Sequence, residues 1–286
     1  MNYQLPSCKY PAIKQLLVSR LQAVLDLDFS GCSLQTQLKS HPVHQVREQQ
    51  RIVYVCAIAL QLRLAIQLPA LEIASTLAFS LSQEQQFTVR VMPPGLIHLE
   101  LTQPLLAAWL QHLIQEPPLL RKQEEPRENY QLAKIPSSLF PIQYAHARCC
   151  SLLQLAQREG LIALEPAADN TSVWLVIAPD PIPWLNHSRS LCLCHPAEWA
   201  ILAQLLTVLD DLYCSHASHK PINWYKAALN LSQAFQTFYS QCQIWGEIKS
   251  QNLQLAQARL GLVAIAQSVL RLLLQERLGL VALQEL

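Results

Sequence analysis

Glycine is scarce in this sequence, with six residues among 286. Nucleotide phosphates are commonly held by backbone N–H groups at glycine-bearing turns that open a helix. The six glycines never lie close enough together to form such a loop. No local motif suggests a Ser/His/Asp arrangement or a pair of catalytic carboxylates either. We therefore expect no bound cofactor and no catalytic site.

Charged residues are also few, at 14% of the chain, and the formal net charge is +1. This balance excludes the strongly basic character that nucleic-acid-binding domains commonly show over the whole molecule. Any contact with RNA must therefore come from a local face of the protein.

Long hydrophobic runs are absent, although hydrophobic residues make up 51% of the chain. The longest apolar stretches, such as Ile52–Leu62 and Leu260–Leu270, are shorter than the roughly 18 residues that a membrane-spanning helix needs. They predict core helices and no membrane partner. The first residues contain no apolar signal core, and the nine cysteines are an odd number that cannot all pair. We expect a reduced, cytoplasmic protein.

The first segment, up to about Glu116, is predicted to contain helices and one β-hairpin. Alternation of side chains predicts the two strands, and the stretch between them has the chemistry of a turn. Helical spacing of apolar residues predicts the other elements. In order, these are a helix after Pro11, a polar stretch Ser30–Gln50, helices Ile52–Ile66 and Pro69–Leu81, strands Phe87–Val91 and Leu96–Leu101, and a helix Pro104–Ile114.

Residues 121–128 carry six charged and no apolar side chains, which predicts a linker at 117–136 and the clearest domain boundary. The second segment, residues 137–286, is predicted to be mainly helical. Within it, Ser172–Ile177 is predicted to form a strand that pairs with Leu191–Cys194 across a proline-rich stretch. Three helices are predicted at Glu198–Leu212, Trp224–Cys242 and Glu247–Leu278. The last is hydrophobic nearly all round, which places it in the middle of a bundle.

Three stretches resemble arginyl-tRNA synthetase, in the order of that family. Leu71–Leu113 resembles its N-terminal additional domain, and Ile142–Arg148 contains the QYAHAR sequence that opens its anticodon-binding domain. Leu231–Leu280, with Ala258-Arg259-Leu260, resembles the end of that domain, which is called DALR. The resemblance implies a mainly α protein: a small α+β domain at residues 1–116, then an α-helical DALR-type bundle at 137–286 with a short β-hairpin insertion.

The family's catalytic domain has no counterpart, because only the predicted linker stands between the two matching halves. The chain lacks a Lys-Met-Ser-Lys loop. His41-Pro-Val-His44 has the histidine spacing of the family's His-x-Gly-His turn but not its glycine. The resemblance therefore implies a non-catalytic paralog that binds tRNA or a tRNA-like RNA. Two alternatives are open: a scaffold that has lost RNA binding and holds a protein partner where the catalytic domain docked, or the tRNA-binding subunit of a split arginine-tRNA ligase.

The resemblance also suggests individual RNA contacts. The family's hairpin reads a nucleotide of the tRNA D-loop with an aromatic residue and an asparagine, whose places are taken here by Leu96 and His98. Leu96 cannot stack as an aromatic does, which leaves His98 as the candidate. Tyr144 and Arg148 belong to the QYAHAR signature. Arg148 either binds a phosphate or pairs with a carboxylate inside the bundle. His146 of the same signature either contacts RNA or is a helix residue whose hydrogen bonds are satisfied within the protein.

Local charge makes the C-terminal part a second place to expect RNA. From Ser215 onward there are six positive and three negative residues, interleaved with aromatics. Cations suit an RNA backbone and aromatics suit unstacked bases, as an anticodon loop requires. The candidates are Tyr239, Trp245, Lys249 and Arg277. A packing role is the alternative for Trp245, and we favour a structural role for Arg259.

Two further polar clusters are predicted to be structural. Cys192-x-Cys194-His195, with His187 upstream, has a tighter spacing than a zinc knuckle and lacks a second pair at good spacing. We expect no metal there. Asp210-Asp211 is predicted to end a helix and face solvent.

Overall fold

A computed structural model describes residues 8–29, 43–48, 50–83, 85–118, 139–166, 174–214 and 221–286. The chain divides into two compact units. Unit 1 comprises Met1–Leu106 with Leu209–Ile222, and unit 2 comprises Ala107–Val208 with Asn223–Leu286. The predicted linker at 117–136 lies almost wholly outside the described residues, and the predicted domain limits stay a prediction.

Unit 1 is built on a four-stranded antiparallel sheet with the strand order β1-β2-β4-β3. One face of the sheet carries buried apolar side chains, such as Ile97 and Leu99, and packs against α3. The other face carries half-buried and polar residues such as His98 and Glu100. The elements are α1 (Ile13–Asp28), β1 (Val43–Glu48), β2 (Arg51–Cys56), α2 (Ile58–Ile66), α3 (Ala70–Ser82), β3 (Phe87–Met92), β4 (Leu96–Leu101) and the start of α4 (Gln103–Gln115), whose residues from Ala107 onward belong to unit 2.

The helix predicted at Ile52–Ile66 is wrong in its first part, because residues 51–56 form β2. Periodicity cannot separate a short apolar run that is fully buried in a sheet from a buried helix. The β-branched and aromatic residues Ile52, Val53, Tyr54 and Val55 favour the strand. β2 pairs with β1, which lies inside the polar stretch Ser30–Gln50, where no strand was predicted.

The predicted hairpin of β3 and β4 is confirmed, and its turn packs closely against α3. Gly95 has a φ of +139°, a region that favours glycine. A Cβ atom built on Gly95 would lie 2.8 Å from the carbonyl oxygen of Ala70. The tip is thereby held at the start of α3, where the chain bends by 116° from α2.

Unit 2 is a helical bundle around α9. The stretch Leu253–Arg277 is long and apolar enough to cross a membrane, but 94% of its apolar window is buried inside the protein, so it is the central helix of the bundle. α5, α7 and α8 all contact α9. The elements are α5 (Phe140–Arg158), β5 (Ala163–Pro166), β6 (Trp174–Ala178), α6 (Pro196–Cys214), α7 (Trp224–Gln241), α8 (Glu247–Gln251) and α9 (Leu253–Leu272), which ends in a π-helical turn, Leu273–Arg277. The residues of α6 from Leu209 onward belong to unit 1. The predicted fold class, mainly α with a small α+β N-terminal part, is confirmed.

Two details of the predicted bundle are wrong. β6 pairs with β5 rather than with residues 191–194, and Leu191 makes only an isolated bridge to Leu185. The long helix predicted at Glu247–Leu278 is interrupted at Asn252. The Asn252 side chain accepts a hydrogen bond from the Leu255 N–H at 3.1 Å, which caps a new helix.

The proline-rich stretch after β6 is fixed to α4 by Gln111. The Gln111 side-chain oxygen accepts hydrogen bonds from the backbone of Ile182 and from the indole N–H of Trp184, both at 3.0 Å. Its amide donates to Asp180 at 3.0 Å. Trp184 is 1% exposed and lies against Gly261 of α9, where an added Cβ would be 2.4 Å from the indole ring.

Candidate nucleic-acid interface

An exposed line of side chains runs along α5. Phe140, Tyr144 and Arg148 are spaced by four residues, which places them on one side of the helix. The rings of Phe140 and Tyr144 stack with centroids 6.0 Å apart and an interplanar angle of 24°. Phe140 is 51% exposed and Tyr144 is 41% exposed. Aromatic rings with this exposure are accessible from solvent.

Arg148 joins this line to α7. Its guanidinium lies over the ring of Tyr239, with the central carbon 4.7 Å from the ring centroid, and it donates a hydrogen bond to the Tyr239 hydroxyl. The Tyr239 ring stacks in turn on Phe235 at 6.3 Å and 14°. We call Phe140, Tyr144, Arg148 and Tyr239 the aromatic–arginine face.

No carboxylate neutralises Arg148 among the residues that the structure describes. Its Nε atom is buried and has no hydrogen-bond partner there. The alternative, in which Arg148 pairs with a carboxylate inside the bundle, finds no support among the described residues. A guanidinium with free donors beside exposed rings can bind a phosphate while the rings stack unpaired bases.

Lys249 lies near the C-terminal end of α5 and is already paired. Its ammonium forms a salt bridge with Glu159 at 2.7 Å, which reduces what it can offer to a phosphate. Trp245, which precedes α8, is half-buried, and its indole nitrogen is buried without a hydrogen-bond partner in the described chain. Both residues are therefore tied into the bundle more than the sequence indicated.

Arg277 belongs to a different place in unit 2. It is exposed, and its guanidinium lies over the ring of Trp224 at 4.7 Å. Trp224 begins α7 and Tyr239 lies near its end, 15 residues later, so the two sites are about 22 Å apart along the helix axis. The six residues that the sequence suggests as RNA contacts in unit 2 therefore do not form one cluster. They are Tyr144, Arg148, Tyr239, Trp245, Lys249 and Arg277.

His98 lies in unit 1, on the polar face of the sheet. Its cross-strand neighbours are Val55 and Arg90. Arg51 and Glu100 form an ion pair on the same face, with Arg51 Nε 2.7 Å from the carboxylate. A hydrogen bond from Arg51 is the main reason that the pKa of Glu100 lies below its usual value. His98 therefore sits among charges that already compensate one another.

Sequence reasoning missed Phe140 as part of this interface. The spacing of Phe140 from Tyr144 and Arg148 could have identified it, since residues at i, i+4 and i+8 lie on one side of a helix. The remaining feature, the contact of Arg148 with Tyr239, joins residues 91 positions apart and has no local signal.

Other residues of the QYAHAR signature are structural. His146 is fully buried; its Nδ1 lies 2.8 Å from the carbonyl oxygen of Leu283, and its Nε2 lies 3.0 Å from the amide nitrogen of Gln267. This requires a neutral ring that donates from Nδ1 and accepts at Nε2. Gln143 binds the same C-terminal segment, donating to the carbonyl of Val281 at 2.7 Å and accepting from the N–H of Leu283 at 3.1 Å. The reading of His146 as a satisfied helix residue is confirmed.

The structural role favoured for Arg259 is also confirmed. Its Nε donates to Glu198 at 2.6 Å, and its guanidinium donates to the carbonyl of Gln243. The second carboxylate oxygen of Glu198 accepts from the His195 N–H at 2.7 Å, which satisfies the start of α6. Buried in this way, Arg259 holds α6, α9 and the end of α7 together.

The prediction that Asp210 faces solvent is wrong. It is 7% exposed, and it accepts hydrogen bonds from the Tyr54 hydroxyl at 2.6 Å and the Lys14 N–H at 2.9 Å. Its partners lie far away in sequence, so nothing local revealed them. In the described part of the chain no group of three or more His, Cys, Asp and Glu side chains is placed to hold a metal ion.

Comparison with known proteins gives one family and several relatives. The family described as DALR anticodon binding domain matches residues 142–286. The arginine–tRNA ligases of Synechococcus sp. (strain JA-3-3Ab), Heliobacterium modesticaldum and Gloeobacter violaceus are 31%, 30% and 30% identical to this chain over 141, 143 and 142 residues. Each match covers 49% of this chain and 21%, 22% and 21% of the respective ligase, so the chain spans about a fifth of these relatives. No solved structure matches.

Proposed function

Because the chain belongs to the DALR anticodon binding domain family over residues 142–286, we propose that it binds tRNA or a tRNA-like RNA and does not itself catalyse aminoacylation. The aromatic–arginine face of α5 and α7 is the contact surface. Unpaired loop bases stack on Tyr144 and Phe140, and Arg148 binds the adjoining phosphate.

The observation that carries this proposal is the state of Arg148. A half-buried guanidinium without a carboxylate partner in the described residues, flanked by two exposed tyrosines, is costly to leave unpaired. An RNA phosphate supplies a charged partner to the solvent-facing part of the guanidinium, and base stacking on aromatic rings contributes about 1–3 kcal/mol per base. Arg277 over Trp224 offers a second cation and ring of the same kind farther along α7.

The absence of catalysis rests on the sequence. The six glycines of the chain are spread too widely for a phosphate-binding loop, and its likeness to the ligases covers only about a fifth of their length. The family's catalytic motifs have no counterpart in the sequence. ATP-dependent charging of tRNA with arginine by the purified chain would contradict this part of the proposal.

Fluorescence anisotropy with labelled total tRNA at low salt tests the binding face. We expect Tyr144→Ala to weaken binding by about 1–3 kcal/mol, because a stacking surface is lost, and Tyr144→Phe to bind as the parent does. Arg148→Gln is expected to weaken binding and to reduce the salt dependence of log K by about 0.7, the loss of one phosphate contact.

Lys9→Gln is the matched control for removal of one positive charge, since Lys9 is an exposed cation in unit 1. Equal weakening by Lys9→Gln and Arg148→Gln would show a general charge effect and contradict the assigned face. No binding of tRNA by the parent chain at low salt would reject the function and favour the protein scaffold.

A further inference from the structure

The polar face of the four-stranded sheet in unit 1 contains a shallow pocket. Its volume is about 250 Å³, including the part that is open to solvent, which is below the range of pockets that enclose whole small molecules. The floor is Val53, which is 4% exposed although it lies on the polar face, beside Glu100. The other lining residues are all polar: Glu48, Arg51, Thr88, Arg90, His98 and Glu100. A pocket of this size and lining suits a small ion or a single polar group.

The strand register brings three hydrogen-bond donors together at one end of this pocket. Arg90 of β3 lies directly opposite His98 of β4, so their Cβ atoms are about 5 Å apart. Thr88, two residues before Arg90, projects from the same face of the sheet and lies diagonal to His98. A guanidinium, an imidazole and a hydroxyl therefore line one end of the pocket.

The protein does not use these three donors for its own contacts in the ranges that the structure describes. There, the side chains of Thr88, Arg90 and His98 make no hydrogen bond, and Arg90 forms no ion pair. A guanidinium carries five N–H donors and no acceptor, and a hydroxyl and an imidazole each add a donor. The end of the pocket at Arg90 is therefore rich in donors that can serve a ligand.

The two carboxylates of the pocket are bound to Arg51. The Arg51 Nε atom donates to Glu100 at 2.7 Å, and its guanidinium lies 3.6 Å from the Glu48 carboxylate. Glu48 is on the edge strand β1, at the opposite edge of the sheet from Arg90 on β3. The hydrogen bond from Arg51 is the main reason that the pKa of Glu100 is low, and the charge of Arg90 adds to it. Two guanidinium groups thus lie near one carboxylate, so the Arg90 end of the pocket keeps a positive charge.

We propose that this end of the pocket binds a phosphate group through Arg90, His98 and Thr88. Arginine binds phosphate oxygens with two parallel N–H donors, and the imidazole and the hydroxyl donate to the remaining oxygens. A tetrahedral phosphate offers acceptors in several directions, as donors on two strands require, whereas a planar carboxylate has only two oxygens. The buried Val53 keeps water from beneath the ion, which strengthens these contacts.

Titration of the full chain with sodium phosphate at fixed pH, followed by NMR of the histidine C–H resonances, tests this site. The His98 resonance, identified by its loss in His98→Gln, is expected to shift and to saturate. Sodium chloride at the same ionic strength should not reproduce this shift. Arg90→Gln is expected to raise the phosphate dissociation constant about tenfold or more, because a charge-assisted hydrogen-bond pair is lost.

Two further variants separate the site from a general effect of charge. Arg63→Gln removes another exposed arginine of unit 1, on α2, and should bind phosphate as the parent does. Arg90→Lys keeps the charge but loses the planar fork of donors, so an intermediate affinity is expected. Both arginines are exposed, so circular dichroism should show an unchanged fold.

Competition distinguishes the two sources of such a phosphate group. If a nucleoside 5′-monophosphate displaces inorganic phosphate and tRNA does not, the site takes the terminal phosphate of a small molecule. If tRNA displaces it and the monophosphate does not, the site takes a backbone phosphate of RNA.

Three results would overturn the inference. They are a His98 resonance that does not saturate with phosphate, a shift that chloride reproduces, and an equal loss of affinity in Arg90→Gln and Arg63→Gln. The site belongs to unit 1 and the aromatic–arginine face to unit 2, so Arg148→Gln should leave the phosphate titration unchanged. Failure of the tRNA experiment would therefore not remove this site, and the reverse also holds.

Discussion

Single residues hold unit 1 together through contacts that no sequence window contains. Asp210, in the last turns of α6, receives hydrogen bonds from the first turn of α1 and from Tyr54 of β2. A carboxylate at the N-terminus of α1 also interacts favourably with the helix dipole. α1 has no side-chain cap of its own, so Asp210 supplies from another element what the local sequence lacks.

Burial raises the pKa of the Asp210 carboxyl from its usual value of 3.8 to about 6. The folded chain therefore binds this proton more tightly than the unfolded chain does, and Asp210 contributes most to stability below pH 4. That contribution, about 3 kcal/mol, is lost as the pH rises from about 4 to about 6. We expect the difference in unfolding free energy between the parent and Asp210→Asn to change by this amount over that window.

Urea denaturation of both proteins at a series of pH values measures this difference. The asparagine variant is its own control, because every other titrating group is present in both proteins and cancels. A difference that stays constant between pH 4 and pH 7 would contradict the assignment.

At the scale of elements, the sequence predicts long segments with a clear hydrophobic period correctly, and it fails for segments too short to show a period. The spacing of Ile73, Leu77 and Leu81 is long enough to identify α3 without ambiguity. Residues 51–56, which form β2, are too few to show a period, and a short buried apolar run of this kind also fits a helix. The break at Asn252 had a local signal, since asparagine is a preferred N-cap, but the apolar residues on both sides of it obscured that signal.

The contact of α9 with Trp184 gives an element-scale prediction. Gly261→Ala would gain about 1 kcal/mol of helix propensity in an unhindered helix, but here the new methyl group meets a rigid, fully buried indole ring. Overpacking of this kind costs about 1–3 kcal/mol, so we expect the variant to be less stable.

Thermal or urea unfolding of Gly261→Ala, Trp184→Phe and the double variant measures the contact. Trp184→Phe removes the ring atoms that the methyl group would strike, so the double variant should lose less than the sum of the two single variants. Simple additivity, or a stabilised Gly261→Ala, would show that the two residues do not collide.

At the scale of the whole molecule, the near-neutral charge limits how RNA can be held. Lys249, Arg259 and Arg51 are paired with carboxylates, whereas Arg148 and Arg277 lie on aromatic rings. The sequence indicated these residue types but not which of them were neutralised. Lys249 and Glu159, for example, are 90 positions apart.

The proposed phosphate contacts of Arg148 and Arg277 predict a shallow dependence of RNA affinity on salt. For single-stranded RNA the slope of log K against log salt is about −0.7 per contact, so we expect a slope of about −1.4. Titrations of tRNA at several salt concentrations measure it, with Arg277→Gln expected to reduce the slope by about half. A slope several times steeper would mean that cations outside the aromatic–arginine face and Arg277 dominate binding.

The hydrogen bonds from α5 to residues 281–283 determine which substitutions in this C-terminal segment the fold tolerates. Gln143 and His146 touch only main-chain groups of Val281 and Leu283, and those groups are the same in nearly every amino acid. A change of the Val281 side chain, which is 56% exposed, therefore leaves these hydrogen bonds in place, whereas a change in the path of the segment breaks them. Proline at position 283 would remove one of these hydrogen bonds, because proline has no N–H to donate to the side-chain oxygen of Gln143.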